Sequence, residues 1–179
     1  MRMRNAAGGT LTGRRPLHRF RVPRSAFAIV VAACSPATTR PDFRPFPQAP
    51  TVIILARPER VIPALAGFVA AESLRVRRSS PTDGYLETDW YDTKTHRSYR
   101  ESEHVPDLAH AIRLRCWADP YVPSETVVTI EPSYRPRYDP SRLERDLEVP
   151  IVEGQEGYVL ATELVRQLKE KLGTPKTGP

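Results

Sequence analysis

Acidic residues are missing from the first 33 positions. All 21 Asp and Glu of this 179-residue chain lie after Cys34, whereas seven of its 27 Lys and Arg precede it. The formal charge of +6 and the pI of 9.6 therefore belong to the N-terminus, and from Cys34 onward the chain is near −1. That excludes reading the basic balance as a nucleic-acid-binding surface, and no RNA- or DNA-binding motif occurs. Cysteine is scarce: Cys34 and Cys116 are the two thiols, too few for a disulfide framework. The uncharged run Ser25–Ala33 is nine residues long, against the roughly 20 a membrane-spanning helix needs. There is no nucleophile elbow, no HExxH, no P-loop, no dinucleotide fingerprint and no internal repeat. The chain is not expected to be an enzyme, and neither a cofactor nor a metal is expected.

What is present begins at Arg14. Five arginines lie between Arg14 and Arg24, then the apolar run, then Val31-Ala32-Ala33-Cys34. A basic region, a short apolar region and small residues at the cut are the parts of a secretory signal. Arg14-Arg15 is a twin-arginine pair, but Pro-Leu-His-Arg after it departs from the twin-arginine pattern. Val31–Cys34 resembles the lipobox of bacterial lipoproteins. The resemblance implies cleavage between Ala33 and Cys34, a diacylglyceryl group on the Cys34 sulfur, and acylation (palmitate) of the new amine. Two or more chains anchor a protein stably where one does not. The implied location is the cell envelope, with the domain in the periplasm. Ser35 stands where enteric lipoproteins retained in the inner membrane carry Asp, which leans toward the outer membrane.

Residues 34–50 read as the lipidated cysteine and a tether. Ser35–Pro50 holds Pro36, Pro41, Pro45, Pro47 and Pro50, and proline fixes φ and removes a donor. A semi-rigid extended segment is expected. One domain is expected over 51–173, followed by a disordered tail, 174–179. Thr51–Ala56 reads as a buried strand. A helix follows from Pro58, with Val61, Leu65, Phe68 and Val69 on one face. Leu74–Ser79 and Tyr85–Asp92 read as a hairpin around Pro81-Thr-Asp-Gly84. Leu86, Thr88 and Trp90 would share one side, and Tyr85, Glu87, Asp89 and Tyr91 the other. Thr93–Pro106 reads as a loop. Leu108–Ala118 alternates, with His110, Ile112, Leu114 and Cys116 inward and Arg113, Arg115 and Trp117 outward. Glu125–Glu131 is β-branched and reads as a strand, Tyr134–Gly154 as irregular, and Tyr158–Leu172 as a closing helix. The order β-α-β-β-β-β-α predicts an α+β fold, an antiparallel sheet of four to five strands with both helices on one face.

Glu87 and Asp89 could form an acid–base pair or bind a cation. The plainer reading is a solvated sheet face, paired with Arg75 and Arg77 across the hairpin. His96 and His104 fall in the loop, and His110 reads as a core histidine. Tyr85, Tyr91 and Trp117, lying among Arg113 and Arg115 with Tyr121 and Tyr134 nearby, are the candidate partner-contact surface on an open sheet face. The helix, the Gly84-Tyr-Leu-Glu-Thr-Asp-Trp90 hairpin, further strands and a final helix are similar to the helix-grip domains of BamC, a lipoprotein of the outer-membrane protein assembly machine. That resemblance implies a helix-grip-like domain accessory to outer-membrane biogenesis. The expected role is a lipid-anchored protein-interaction or assembly module, with the membrane and an envelope protein as partners. A ligand-binding module with an apolar pocket under the helix is the alternative, and an envelope hydrolase the less favoured one.

Overall fold

The computed structural model describes residues 38–100 and 110–173. The signal run Ser25–Ala33, the cleavage site Ala33–Cys34, Ser35, His104 and the tail 174–179 lie outside the described residues. The described residues fall in one compact unit that begins at Ala37. Among them no helix is long and apolar enough to cross a membrane.

The fold is α+β. Strands β1 (Thr51–Ile54), β2 (Val76–Ser80), β3 (Tyr85–Thr88), β4 (Trp90–Asp92), β5 (Arg97–Tyr99), β6 (Ala111–Pro120), β7 (Thr126–Tyr134) and β8 (Val149–Pro150) form one antiparallel sheet. The central order is β1-β7-β6-β3-β2, with β4 pairing β5 and β6, and β8 pairing β7. The helices are α1 (Pro58–Ala71), the short α2 (Glu144–Leu147) and α3 (Glu156–Leu172). The sheet is thus larger than the four to five strands expected, and α2 and β8 occupy a segment read as irregular.

Pro58 opens α1, where its missing N–H would have no helical partner anyway, and Glu59 sits in the first turn. Pro63 lies in the second turn without ending the helix. Val61, Ile62, Leu65 and Val69 are fully buried, as are Ala161, Leu164 and Leu168 of α3. Both helices pack on the face of the sheet that presents Leu86, Leu114, Cys116, Val128 and Ile130. These side chains are fully buried between the sheet and the helices.

Gly84 ends the β2–β3 turn at φ +61, and a Cβ there would lie 2.2 Å from the Ala118 carbonyl oxygen. Only glycine permits that approach; its own carbonyl accepts from the Ala118 N–H at 2.8 Å.

One departure from strict alternation decides what lies where. Glu87 pairs with Arg115, yet Tyr91 pairs with Ile112. Four steps on one strand match three on the other, so a β-bulge inserts one residue between β3 and β4. The bulge reverses the expected faces of the next two residues. Tyr91, expected beside Glu87, joins the apolar core, and Trp90, expected beside Leu86, turns to the opposite face.

Candidate functional site

The second face of the sheet carries charge. Alternation along β3, β6 and β7 places Glu87, Arg113, Arg115 and Glu131 together, with Tyr85 and Trp117 beyond them. The solvated, open face expected here is covered instead. Glu87 is 3% exposed, Arg113 1%, Arg115 3% and Glu131 0%. Tyr85, Trp117 and Tyr91 are buried as well, so the five candidate partner-contact residues are not at the surface.

Two segments make the cover. The first is residues 38–50, read from sequence as a tether. They form no regular element but lie as a strap across the sheet. Thr39 donates to Asp83 through its N–H at 3.1 Å and through its hydroxyl at 3.0 Å. Arg40 reaches Asp119 at 2.7 Å. The Phe46 N–H donates to Glu131 Oε2 at 2.6 Å, and Ile130 N–H to the Pro50 carbonyl at 2.9 Å. Phe43 packs edge-on against Trp117 at 6.3 Å and lies under the guanidinium groups of Arg115 and Arg145. Phe46 lies under Arg145 at 3.7 Å. Proline-rich composition predicts reach; here the segment bends, with a turn closed by the Ala49 N–H donating to the Phe46 carbonyl at 3.0 Å, and its aromatic side chains pack.

The second cover is residues 135–148 with α2. This one-turn helix begins at Glu144, and Glu148 follows its last residue in extended conformation. Glu148 takes a two-pronged interaction from Arg115, 2.7 Å for the Nη2–Oε1 bond, and lies 3.4 Å from Arg145. Glu144 pairs with Arg113 and lies 3.6 Å from Arg77. Arg145 spans Glu131 at 2.5 Å and the Arg44 carbonyl at 3.0 Å, tying the two covers together. Glu87 stands among Arg77, Arg78, Arg113 and Arg115 at 3.4–3.8 Å. Trp90, delivered by the bulge, stacks under Arg113 and Arg135.

Neighbouring arginines respond differently. Burial pulls the Arg113 guanidinium below its ordinary range, and Glu144 only partly restores it. Burial acts likewise on Arg115, but its hydrogen bonds and charge interaction with Glu148 outweigh it, and the net shift is upward. Burial pushes the Tyr85 hydroxyl well above its usual range, with the Glu87 charge adding to it. The Cys116 thiol, on the apolar face, is pushed up to about 12 by burial.

Sequence pairing of Glu87 with Arg77 and of Asp89 with Arg75 is present, the latter at 2.5 Å. The two carboxylates are committed to separate arginines, and Asp89 is 6% exposed. His96 is at the surface, its Nδ1 hydrogen-bonded to the Tyr91 hydroxyl at 3.0 Å. His110, expected inward, is half-buried in the turn before β6, beside Thr93 and Tyr134. Among the described residues no group of three His, Cys, Asp or Glu could hold a metal. A cleft of about 290 Å³ remains between strap and α2, reaching Tyr85, Arg77 and Arg115. Sequence reasoning missed Glu131, Arg135, Glu144, Arg145 and Glu148. The available signal was two arginines at alternate positions of a strand whose other positions are apolar.

Compared with known proteins, the chain matches no family model and no curated protein.

Proposed function

We propose that this chain is a lipid-anchored cell-envelope protein, held to the membrane through Cys34, whose α+β domain is a protein-interaction or assembly module. The reading places the domain in the periplasm, on the outer membrane in preference to the inner, in a role accessory to outer-membrane biogenesis.

One observation carries it: the segment that follows the lipobox cysteine is built into the fold. The strap begins at Thr38, four positions after Cys34, and it closes the charged face. A domain whose lid is its own anchoring segment is held close to the membrane in a fixed orientation, as suits a protein that presents a surface. The carboxylates that could serve catalysis are committed to arginines, which supports presentation over turnover. Partner contact then falls to exposed side chains such as Leu143 and Tyr138 on the second cover.

Intact mass of the membrane-extracted protein, beside a Cys34→Ala variant, tests the anchor. The expected species starts at Cys34 and carries acyl mass, and the variant carries none. A full-length unmodified chain in the cytosol overturns the reading. Turnover of an envelope substrate by homogeneous protein, abolished by Glu87→Gln with the fold intact, overturns the non-enzymatic role.

A further inference from the structure

Thr39 and Arg40 do not dock at random along the sheet. They are clamped to Asp83, in the β2–β3 turn, and to Asp119, near the end of β6. Both lie at the same end of the sheet, because the Gly84 carbonyl accepts from the Ala118 N–H. The β6–β7 turn projects from this end. Its backbone is closed by Tyr121 N–H to Glu125 O at 3.1 Å and Glu125 N–H to Val122 O at 2.9 Å. The end of β1 is there too, since Ile54 pairs with Thr126 and the Thr126 hydroxyl donates to the Ala56 carbonyl.

This end carries exposed apolar side chains beside the charged groups Asp83, Asp119 and Glu125. Tyr121 is 61% exposed, Val122 45% and Leu55 42%. Single exposed apolar residues are ordinary; three at one tip, beside the point where the chain leaves for its anchor, are not scattered. Arg57, exposed just past Leu55, adds a cation at the same end. Tyrosine suits a lipid interface, with an apolar ring and a polar tip.

Chain length then fixes the occupant. Four residue steps separate Cys34 from Thr38, and fully extended they reach at most about 14 Å. An acylated Cys34 lies at the boundary of the hydrocarbon, under a headgroup region several ångströms deep. A bilayer that holds Cys34 therefore lies within about 14 Å of Thr38, which leaves the tip free to reach it. We propose that the β6–β7 turn, with Tyr121 and Val122, and Leu55 beside it, is the membrane-facing end of the domain and inserts into the lipid headgroup region of the bilayer that holds the anchor. This rests on the lipid-anchor reading above. The domain then stands with the long axis of β6 and β7 directed away from the bilayer and the start of the second cover, Arg135 to Tyr138, at the distal end.

The test uses membrane-extracted mature protein reconstituted into vesicles of phosphatidylethanolamine and phosphatidylglycerol with brominated acyl chains. Two variants are compared, Tyr121→Trp at the tip and Tyr138→Trp at the opposite end, each after subtraction of the wild-type signal of Trp90 and Trp117. Intact mass of the same preparation reports acylation. The expected result is emission from position 121 quenched about twofold or more, as for a ring at the lipid interface, with position 138 unquenched. Acylated protein with position 121 unquenched, or with both positions quenched alike, overturns the orientation and leaves the anchor standing. Protein without acyl mass overturns the anchor and this inference with it.

Discussion

Along β3, β6 and β7, Leu86, Leu114, Cys116 and Ile130 point one way and Glu87, Arg115 and Glu131 the other. The two faces are buried to a similar depth, one beneath helices and one beneath a strap and a one-turn helix. The apolar face needs only shape and area, because dispersion and the hydrophobic effect have no direction. The charged face needs register. Each guanidinium must meet its carboxylate, and a group left alone there is costly. Its fit is not complete: Arg113 Nε, Trp117 Nε1 and Ser133 Oγ lack hydrogen-bond partners among the described residues. One face supplies cohesion; the other specifies where the two covering segments must lie.

The sharpest way to break this contrast is to remove one charge. Glu131→Ala leaves the Phe46 N–H without its acceptor and Arg145 with only the more distant Glu148, at 3.4 Å. It is expected to cost about 3–5 kcal/mol, read from urea denaturation. Leu114→Ala on the opposite face is expected to cost about 2–5 kcal/mol through lost transfer and a residual cavity. Its signature differs: the strap stays protected from protease, while alkylation of Cys116, otherwise suppressed by burial, becomes faster. Phe46→Ala removes the ring under Arg145 and is expected to cost about 0.5–2 kcal/mol, with the strap becoming the first site of proteolytic cleavage.

Acid titration reaches the strap through Asp83. Hydrogen bonds from Thr39, with one from Ser80, hold its folded pKa below the ordinary 3.8. Its contribution is therefore complete above that ordinary value and is lost as pH falls through the lowered one. The Trp117 emission, with Phe43 beside it, is expected to change over that acidic window, and Asp83→Asn to abolish that part of the change. The smallest net effect is expected from a pair replacement. Arg115→Met with Glu148→Leu removes both charges together, and its denaturation midpoint should lie far closer to wild type than either single variant's. Two equally damaged single variants and an additive double variant would contradict the contrast between the faces.

The apolar face was legible in the residues. Helical spacing from Val61 to Val69 and from Ala161 to Leu172, and alternation through Leu114 and Ile130, located the helices and the central strands. The charged face was half legible. Alternation placed Arg113, Arg115 and Glu87 on one side correctly, but the pattern of a strand states only which residues share a side, and does not state what covers them. The cover comes from segments without period. Phe43 and Phe46 sit among prolines, and Glu144 and Glu148 open and follow a helix of four residues, too short for any spacing to stand out. The bulge before Trp90 escaped for a related reason: one inserted residue reverses a face without altering composition.

The strap has a consequence for the order of events during biogenesis. Phe46 hydrogen-bonds a residue 85 positions later, and Arg44 one 101 positions later. The part of the domain that is made first therefore cannot complete its contacts until β7 and α2 exist. Contacts of such separation are slow to close because the intervening chain must be ordered before they form. If synthesis and export proceed from the N-terminus, the early segment waits unpaired, with its aromatic side chains exposed, while the other face condenses. The arginines and glutamates of the late-closing face stay hydrated through that interval, which keeps an unfinished sheet from adhering to its neighbours. A charged interior is thus an advantage in time as well as in place.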